Sequence, residues 1–241
     1  MAVKVSLEEL VKAGAHFGHQ SRRWNPKIEP YLYGEKDGVH VFDLTKTKVL
    51  LEEALEVLKT AAKEGKIILL LGTKKQAREK VEKVAKEAGV FYVNERWLGG
   101  TLTNFIQIKR SIQKMSDMKA KKEKGEYSEF TKKERLLLDR EIERLERFFG
   151  GIADMEKEPD LLVIIDAKKE ISAIRESKAK DVPVIAVVDS NSDPTSVDYP
   201  IPMNDDATKA VDYVLELFKE AIIEGKGRKT QDEKRDKKRN N

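Results

Sequence analysis

The chain has 241 residues, 39% hydrophobic and 37% charged, with mean hydropathy -0.58 and a formal charge of +4; it is long enough to bury a sizeable core and more charged than the usual quarter. It contains no cysteine, which excludes disulfides, thiolate metal sites and thiol nucleophiles. The longest apolar runs, IILLL, LLVII and VIAVV, are far too short to cross a bilayer, and MAVKVSLEELVKAG lacks the apolar segment of a secretory signal, so the expectation is a cytoplasmic protein without a membrane partner.

In chain order, the capping-box start SLEE opens a short helix over residues 6–13. The stretch HFGHQSRRWNPK follows at 16–27, then YLYGEKDGVHVFD at 31–43, whose alternation across a Gly-rich turn predicts a small hairpin. Five runs rich in Ile, Val and Leu, at 67–71, 90–93, 161–165, 184–188 and 199–203, read as strands buried on both faces. Helical patterns at 47–63, 75–87, 170–180 and 206–223 separate most of them. Gly65 and Gly89 stand where helices need a positive backbone angle to stop, and NDDAT supplies acceptors for a helix start. This alternation predicts right-handed crossovers and an α/β fold built on a doubly wound parallel sheet of about five strands.

One connection, residues 94–159, is longer than an ordinary crossover. Inside it Phe105, Ile108, Ile112 and Met115, then Leu138, Ile142, Leu145, Phe149 and Ile152, recur at alternating spacings of three and four. That is a heptad seam on each of two arms, joined by KEKGEYSEFT, and it predicts an antiparallel helical hairpin inserted at 104–152 into an α/β domain formed by 1–103 and 153–224. An arm of about 18 residues reaches roughly 27 Å. The last stretch, from Gly225 to Asn241, has no apolar residue and carries eight Lys/Arg against three Asp/Glu, so it reads as a disordered basic tail. The rest of the chain then sums to 4 − 5 = −1, and any anion-binding surface on it must come from local segregation of charge.

Three chemistries compete. A zinc site normally takes three protein ligands, and His16, His19 and His40 with no HExxH pattern are a thin set; His16 and His19 fit better as helix caps or as groups facing a phosphate or a protein. A nucleotide site is the enzymatic rival, because such sheets bind ligands at the carboxyl ends of their strands. Those ends carry GTKK, Asp166 and DSNSD at 189–193, so Asp166 and Asp189 are candidate magnesium ligands. Against it, neither GxGxxG nor GxxxxGK[ST] occurs, and Asp and Asn also end strands and shape turns. RNA binding needs several fixed cations with planar side chains nearby. Arg22, Arg23 and Trp24 offer that mixture in one loop and Arg96 and Trp97 in a second, although either Trp can equally be a packing residue. The first hairpin arm adds Lys109, Arg110, Lys114, Lys119, Lys121, Lys122 and Lys124 against Asp117 and Glu123. A hairpin that binds only proteins is a further reading.

The ordered series AGAHFGHQSRRWNPKIEPYLYG, LGTKKQA, NERWLGGTLTNF, PDLLVIIDAKKEISAIRES, VPVIAVVDSNSDP and IPMNDDA resembles the bacterial ribosomal protein S-two family of the small subunit, over roughly residues 5 to 224. The resemblance implies a flavodoxin-like sheet with a protruding coiled-coil hairpin, no catalysis, no cofactor and no small-molecule substrate. It implies binding to small-subunit ribosomal RNA where head meets body, contact with neighbouring ribosomal proteins, and help in docking ribosomal protein S-one. Under it, Arg22, Arg23 and Lys27 are expected on phosphates, with Trp24 and Asn25 shaping the loop. Lys109, Arg110, Lys119, Lys121, Lys122 and Lys124, with Lys132 and Lys133 across the turn, are expected along RNA, as are Arg96 and Trp97. No family motif reaches the tail beyond Gly225.

Overall fold

A computed structural model describes residues 4–239, with side chains described as far as Gly227. The chain begins with helix α1 (Leu7–Lys12), whose N-cap Ser6 accepts from the backbone N–H of Glu9. Strand β1 (Phe17–Gln20) follows, then two short 3-10 turns at Ser21–Arg23 and Pro26–Tyr31. Strands β2 (Leu32–Lys36) and β3 (Val39–Phe42) form the expected hairpin. Asp37 and Gly38 both take positive φ in its turn, the backbone that two-residue hairpin loops require. Strand β1 is not among the expected elements; it pairs antiparallel with β3 to give a small three-stranded sheet in the order β1-β3-β2.

Helix α2 (Leu44–Glu64) is capped by Asp43 and stopped by Gly65 at φ 74°. It leads into β4 (Ile68–Leu71), α3 (Arg78–Ala88) and β5 (Phe91–Val93). The long connection holds α4 (Phe105–Glu123) and α5 (Lys132–Phe149). The chain then runs through β6 (Leu161–Ile165), α6 (Ile171–Ala179), β7 (Val184–Val188), β8 (Tyr199–Pro202) and α7 (Thr208–Arg239). Strand order is β5-β4-β6-β7-β8, every neighbouring pair parallel, in keeping with the alternation of strands and helices.

Because successive strand side chains point to opposite faces, each central strand divides its apolar run between two cores. Ile68, Leu70, Val163, Ile165, Ile185 and Val187 pack toward α2, α3 and α7, around Leu51, Val81 and Phe218. Leu69, Leu71, Leu162, Ile164, Ala186 and Val188 pack on the other face with Ile174 of α6, Ile28, Phe42, Trp97 and the hairpin base at Phe105 and Phe149. Burying one large apolar side chain such as Phe218 contributes about 1.5–3 kcal/mol. Both sheet edges are blunted. Pro200 and Pro202 remove ladder donors from β8, while Gly151 lies so close to β5 that a Cβ there would collide with the Tyr92 carbonyl oxygen.

Phe105, Ile108, Met115, Ile142, Leu145, Phe149 and Ile152 are buried, with Ile112 and Leu138 half-buried. At the other end, the boundary expected at Gly225 falls inside α7 instead. A Cβ on Gly225 would collide with the Lys59 carbonyl oxygen, and Lys226 Nζ donates to the carbonyls of Ala88 and Gly89 at 2.8 and 2.6 Å, closing the C-terminus of α3. The rest of the expected tail has side chains outside the described residues.

Candidate nucleic-acid interface

The 16–27 segment is held against the sheet by backbone. Asn25 N–H donates to the Ser190 carbonyl at 2.8 Å and His19 N–H to Ser190 Oγ at 2.7 Å; a Cβ on Gly18 would stand 2.8 Å from that same Oγ. The segment therefore lies on the carboxyl end of β7. Asn25 Oδ1 accepts from Lys27 N–H at 3.0 Å, which starts the Pro26–Tyr31 turn. Trp24 is half-buried, 4.8 Å from the His40 ring, and packs on the second core. Arg22 and Arg23 point outward and are exposed. Arg22 Nε donates to Gln20 Oε1 at 3.0 Å, and Arg23 has no side-chain partner among the described residues. Lys27 is exposed but paired, 2.7 Å from Asp193 Oδ2, and although burial alone would raise the Asp193 carboxyl, the ammonium and Thr195 bring it below its ordinary range.

The second Arg/Trp loop, after β5, has an organiser with no local sign in the sequence. Glu176 on α6 accepts from Trp97 Nε1 (2.9 Å), Gly100 N–H (2.9 Å), Leu102 N–H (3.0 Å), Thr103 N–H (3.1 Å) and Thr103 Oγ1 (3.1 Å). Burial pushes this carboxyl upward, but the donors of Trp97, Thr103, Gly100 and Leu102 outweigh it and hold it below the ordinary glutamate value. Trp97 is consequently a packing residue: it is buried and its indole N–H is taken, so its ring is withdrawn from any stacking role. Arg96 beside it is exposed and unpartnered among the described residues.

On the hairpin the expected cations separate into two kinds. Lys114, Lys119 and Lys122 reach across to α5, meeting Glu141 at 3.3 Å, Glu146 at 2.6 Å and Asp139 at 2.7 Å. Lys109 Nζ donates to the Glu156 carbonyl at 3.0 Å and Arg110 is within 3.5 Å of Gln107 Oε1. Lys121, Lys124, Lys132 and Lys133 are exposed with no side-chain partner among the described residues. Over residues 105–149 there are thirteen Lys/Arg against nine Asp/Glu; the +4 surplus is smaller than the first arm alone suggests, because α5 brings the matching carboxylates.

The carboxyl ends of the sheet hold the rival site, and its groups are turned on one another. Lys74 Nζ, from the GTKK turn, lies 2.6 Å from Asp205 Oδ1, 2.5 Å from Asp206 Oδ1 and 3.6 Å from Asp166 Oδ2. Burial would lower the ammonium, but Asp205, Asp206 and Asp166 raise it. Asp205 is buried and faces Asp189 and Asp166, so its carboxyl is pushed up to about 8 despite Lys74. His19 Nδ1 is 3.0 Å from Asp189 Oδ1 and Nε2 is 3.4 Å from Asp206 Oδ2; the hydrogen bond to Asp189 raises the imidazole. Burial works against ionised Asp189, but the His19 hydrogen bond prevails and its carboxyl is lowered. Asp166 adopts φ 73° and accepts from Lys169 N–H, while Lys169 Nζ and Arg78 Nε both close on the Thr73 carbonyl.

His19, Asp189 and Asp206 each offer a ligand atom within 4.8 Å of the others, a set able to hold a divalent metal. The three histidines do not converge: the His16 ring lies tilted against Phe17 with centroids 4.0 Å apart, and the buried ring nitrogens of His40 and Nδ1 of His16 have no hydrogen-bond partner among the described residues. In NDDAT, Asn204 Oδ1 accepts from the N–H groups of Asp206 and Ala207, in the turn ahead of α7, and Asp205 and Asp206 turn to Lys74.

The molecule is thus a parallel-sheet α/β protein whose strand ends are taken up by ion pairs, with cations that lack a side-chain partner among the described residues on the loops and hairpin outside them. The chain belongs to the ribosomal protein S2 family: the model of that family, described as "Ribosomal protein S2", matches residues 10–225. It is 46% identical over 226 residues to the small ribosomal subunit protein uS2 of Coprothermobacter proteolyticus, covering 94% of this chain and 84% of that one. To the uS2 of a Nitratiruptor species it is 48% identical over 222 residues, 92% and 83% of the two chains. To that of Chlorobaculum tepidum it is 47% identical over 226 residues, 94% and 91%. The family is one of structural, non-enzymatic ribosomal proteins.

Proposed function

We propose that this chain is a constituent of the small ribosomal subunit in the cytoplasm, that it binds small-subunit ribosomal RNA between head and body, and that it helps dock ribosomal protein S-one among its protein neighbours. The relatives are named as small ribosomal subunit proteins, and the motif resemblance supplies the head-to-body position and S-one. Residues 1–103 and 153–224 act as the body and 104–152 as a projecting arm.

The RNA reading rests chiefly on where unpaired cations lie. Arg22 and Arg23 are presented, exposed, by a loop whose backbone is fixed to Ser190, and fixed cations are what a phosphate row selects. Arg96, Lys121, Lys124, Lys132 and Lys133 are equally open to solvent. Lys27, Lys109, Arg110, Lys119 and Lys122 exchange their present partners for phosphate on binding, so they contribute less each. Trp24 and Asn25 shape the loop. An RNA-independent association with proteins alone is the alternative, and nuclease treatment separates the two.

Replacing both Arg22 and Arg23 by Glu should leave folding stability within about 0.5 kcal/mol, as for surface changes generally. Binding to purified small-subunit ribosomal RNA should weaken, and the log-log salt slope should flatten by about 0.7 to 0.9 for each phosphate that the loop no longer neutralises. Unchanged affinity and slope across a salt series would remove this loop from the interface.

A further inference from the structure

Helix α5 sorts its charges by face. Three of its carboxylates, Asp139, Glu141 and Glu146, meet the lysines of α4, and Glu134 closes the capping box with Thr131. Its buried residues Ile142, Leu145 and Phe149 form the inward seam. At 3.6 residues per turn, Lys133, Leu137, Arg140, Arg144 and Arg147 fall together on the side away from that seam, at spacings of 4, 3, 4 and 3. All five are exposed. Lys133 and Arg140 have no side-chain partner among the described residues. Arg147 lies over the Phe148 ring, 5.6 Å from its centroid. Among the described residues Arg144 is engaged only with Glu141 on its own helix, through Nε and Nη2 at 2.9 Å each, which leaves its Nη1 open to a further acceptor. Glu143, on the flank of this stripe, is the one carboxylate of α5 that neither faces α4 nor closes the cap.

We infer that the outer face of α5, from Lys133 to Arg147, is an RNA-backbone contact of its own. This deepens the proposed function and rests on its claim that the chain binds ribosomal RNA. The stripe spans about 21 Å at 1.5 Å per residue, enough to follow several successive phosphates. It is carried by a helix whose opposite side is fixed by burial, so the cations keep their spacing before RNA arrives. Three of the four cations are arginines, whose planar donor fork fits phosphate bidentately and holds charge under all conditions. The α4 lysines that face α5 are already neutralised by carboxylates. Counting charges along α4 alone favours the first arm; pairing across the hairpin transfers the unmatched charge to α5.

The test uses the full chain and purified small-subunit ribosomal RNA, with affinity measured over a salt series. Arg140→Gln combined with Arg147→Gln removes two charges from the stripe, and Lys83→Gln combined with Lys178→Gln removes two exposed charges from the body. The first pair should flatten the log-log slope by about 1.4 to 1.8, from 0.7 to 0.9 for each of two phosphates, and the second should leave it as in the parent. A slope unchanged by the α5 pair, while Arg22→Glu with Arg23→Glu still flattens it, would overturn this inference and leave the proposed function standing. Equal flattening by the body pair would assign the effect to net charge and overturn it too. Failure of the parent chain to bind the RNA at all would sink both.

Discussion

The carboxyl ends of β4, β6 and β7 and the loop from Ser21 to Lys27 lie side by side, joined through Ser190, yet they handle charge in opposite ways. At the strand ends Lys74 is enclosed by Asp166, Asp205 and Asp206, and His19 lies between Asp189 and Asp206, so these groups already have their partners. In the loop, Arg22 and Arg23 are held outward on a fixed backbone with no carboxylate opposite among the described residues. A tally of charged residues would rank the strand ends as the better ligand site. A tally of charge without a partner ranks the loop first, and it is partnerless charge that a ligand can satisfy.

That contrast breaks most visibly at Lys74. Lys74→Met leaves buried Asp205 without the donor it now has, and an unsatisfied buried acceptor typically costs about 1–3 kcal/mol. Chemical unfolding should show that loss, with the salt slope of RNA binding in the surviving folded protein unchanged. A slope that moved with Lys74 would mean that the strand ends themselves touch RNA. Glu176→Gln should destabilise by about 1–3 kcal/mol, since it disturbs a half-buried acceptor of five donors. Because the Glu176 carboxyl is lowered in the fold, its contribution is present above the ordinary glutamate range and is lost as pH falls through the lowered value. The acid limb of the parent's stability profile should therefore be steeper than that of the Gln variant.

Asp205 gives the opposite sign. Its carboxyl is raised to about 8 in the fold, so stability is greatest below the ordinary aspartate value and declines as pH rises toward about 8. Asp205→Asn should flatten that decline in a denaturation series run from acid pH to about 8, and an unaltered decline would place the titrating group elsewhere. The smallest expected signal is none: calorimetry with ATP, GTP or NAD should give no heat of defined stoichiometry, because Lys74, the cation a phosphate would need, is already paired with Asp205 and Asp206. Saturable heat abolished by Asp166→Asn would revive the enzymatic reading.

Much of the sheet was legible because burial on both faces writes a strand as an unbroken apolar run, as in IILLL and VIAVV. Strand β1 was not, since FGHQ acquires its strand character only by pairing with β3. The same limit hid the two hubs of the site: Glu176 serves a loop more than 70 residues earlier, and Lys74 finds Asp205 across 131 positions. The boundary at Gly225 slipped for another reason. A search for apolar burial cannot see a glycine that packs by having no side chain against Lys59. Arg22 and Arg23 are exposed cations, as their polar loop suggests, while Trp97 looks like Trp24 in sequence and proves to be core.

The most direct measurement is ultraviolet crosslinking of the tagged full chain in a lysate resolved by sedimentation, with each crosslinked peptide identified. The account predicts that the protein travels with small ribosomal subunits and that RNA crosslinks fall on the 22–27 loop and on the hairpin, with none at Lys74. Sedimentation apart from ribosomal particles, or crosslinks confined to the strand ends, would contradict it.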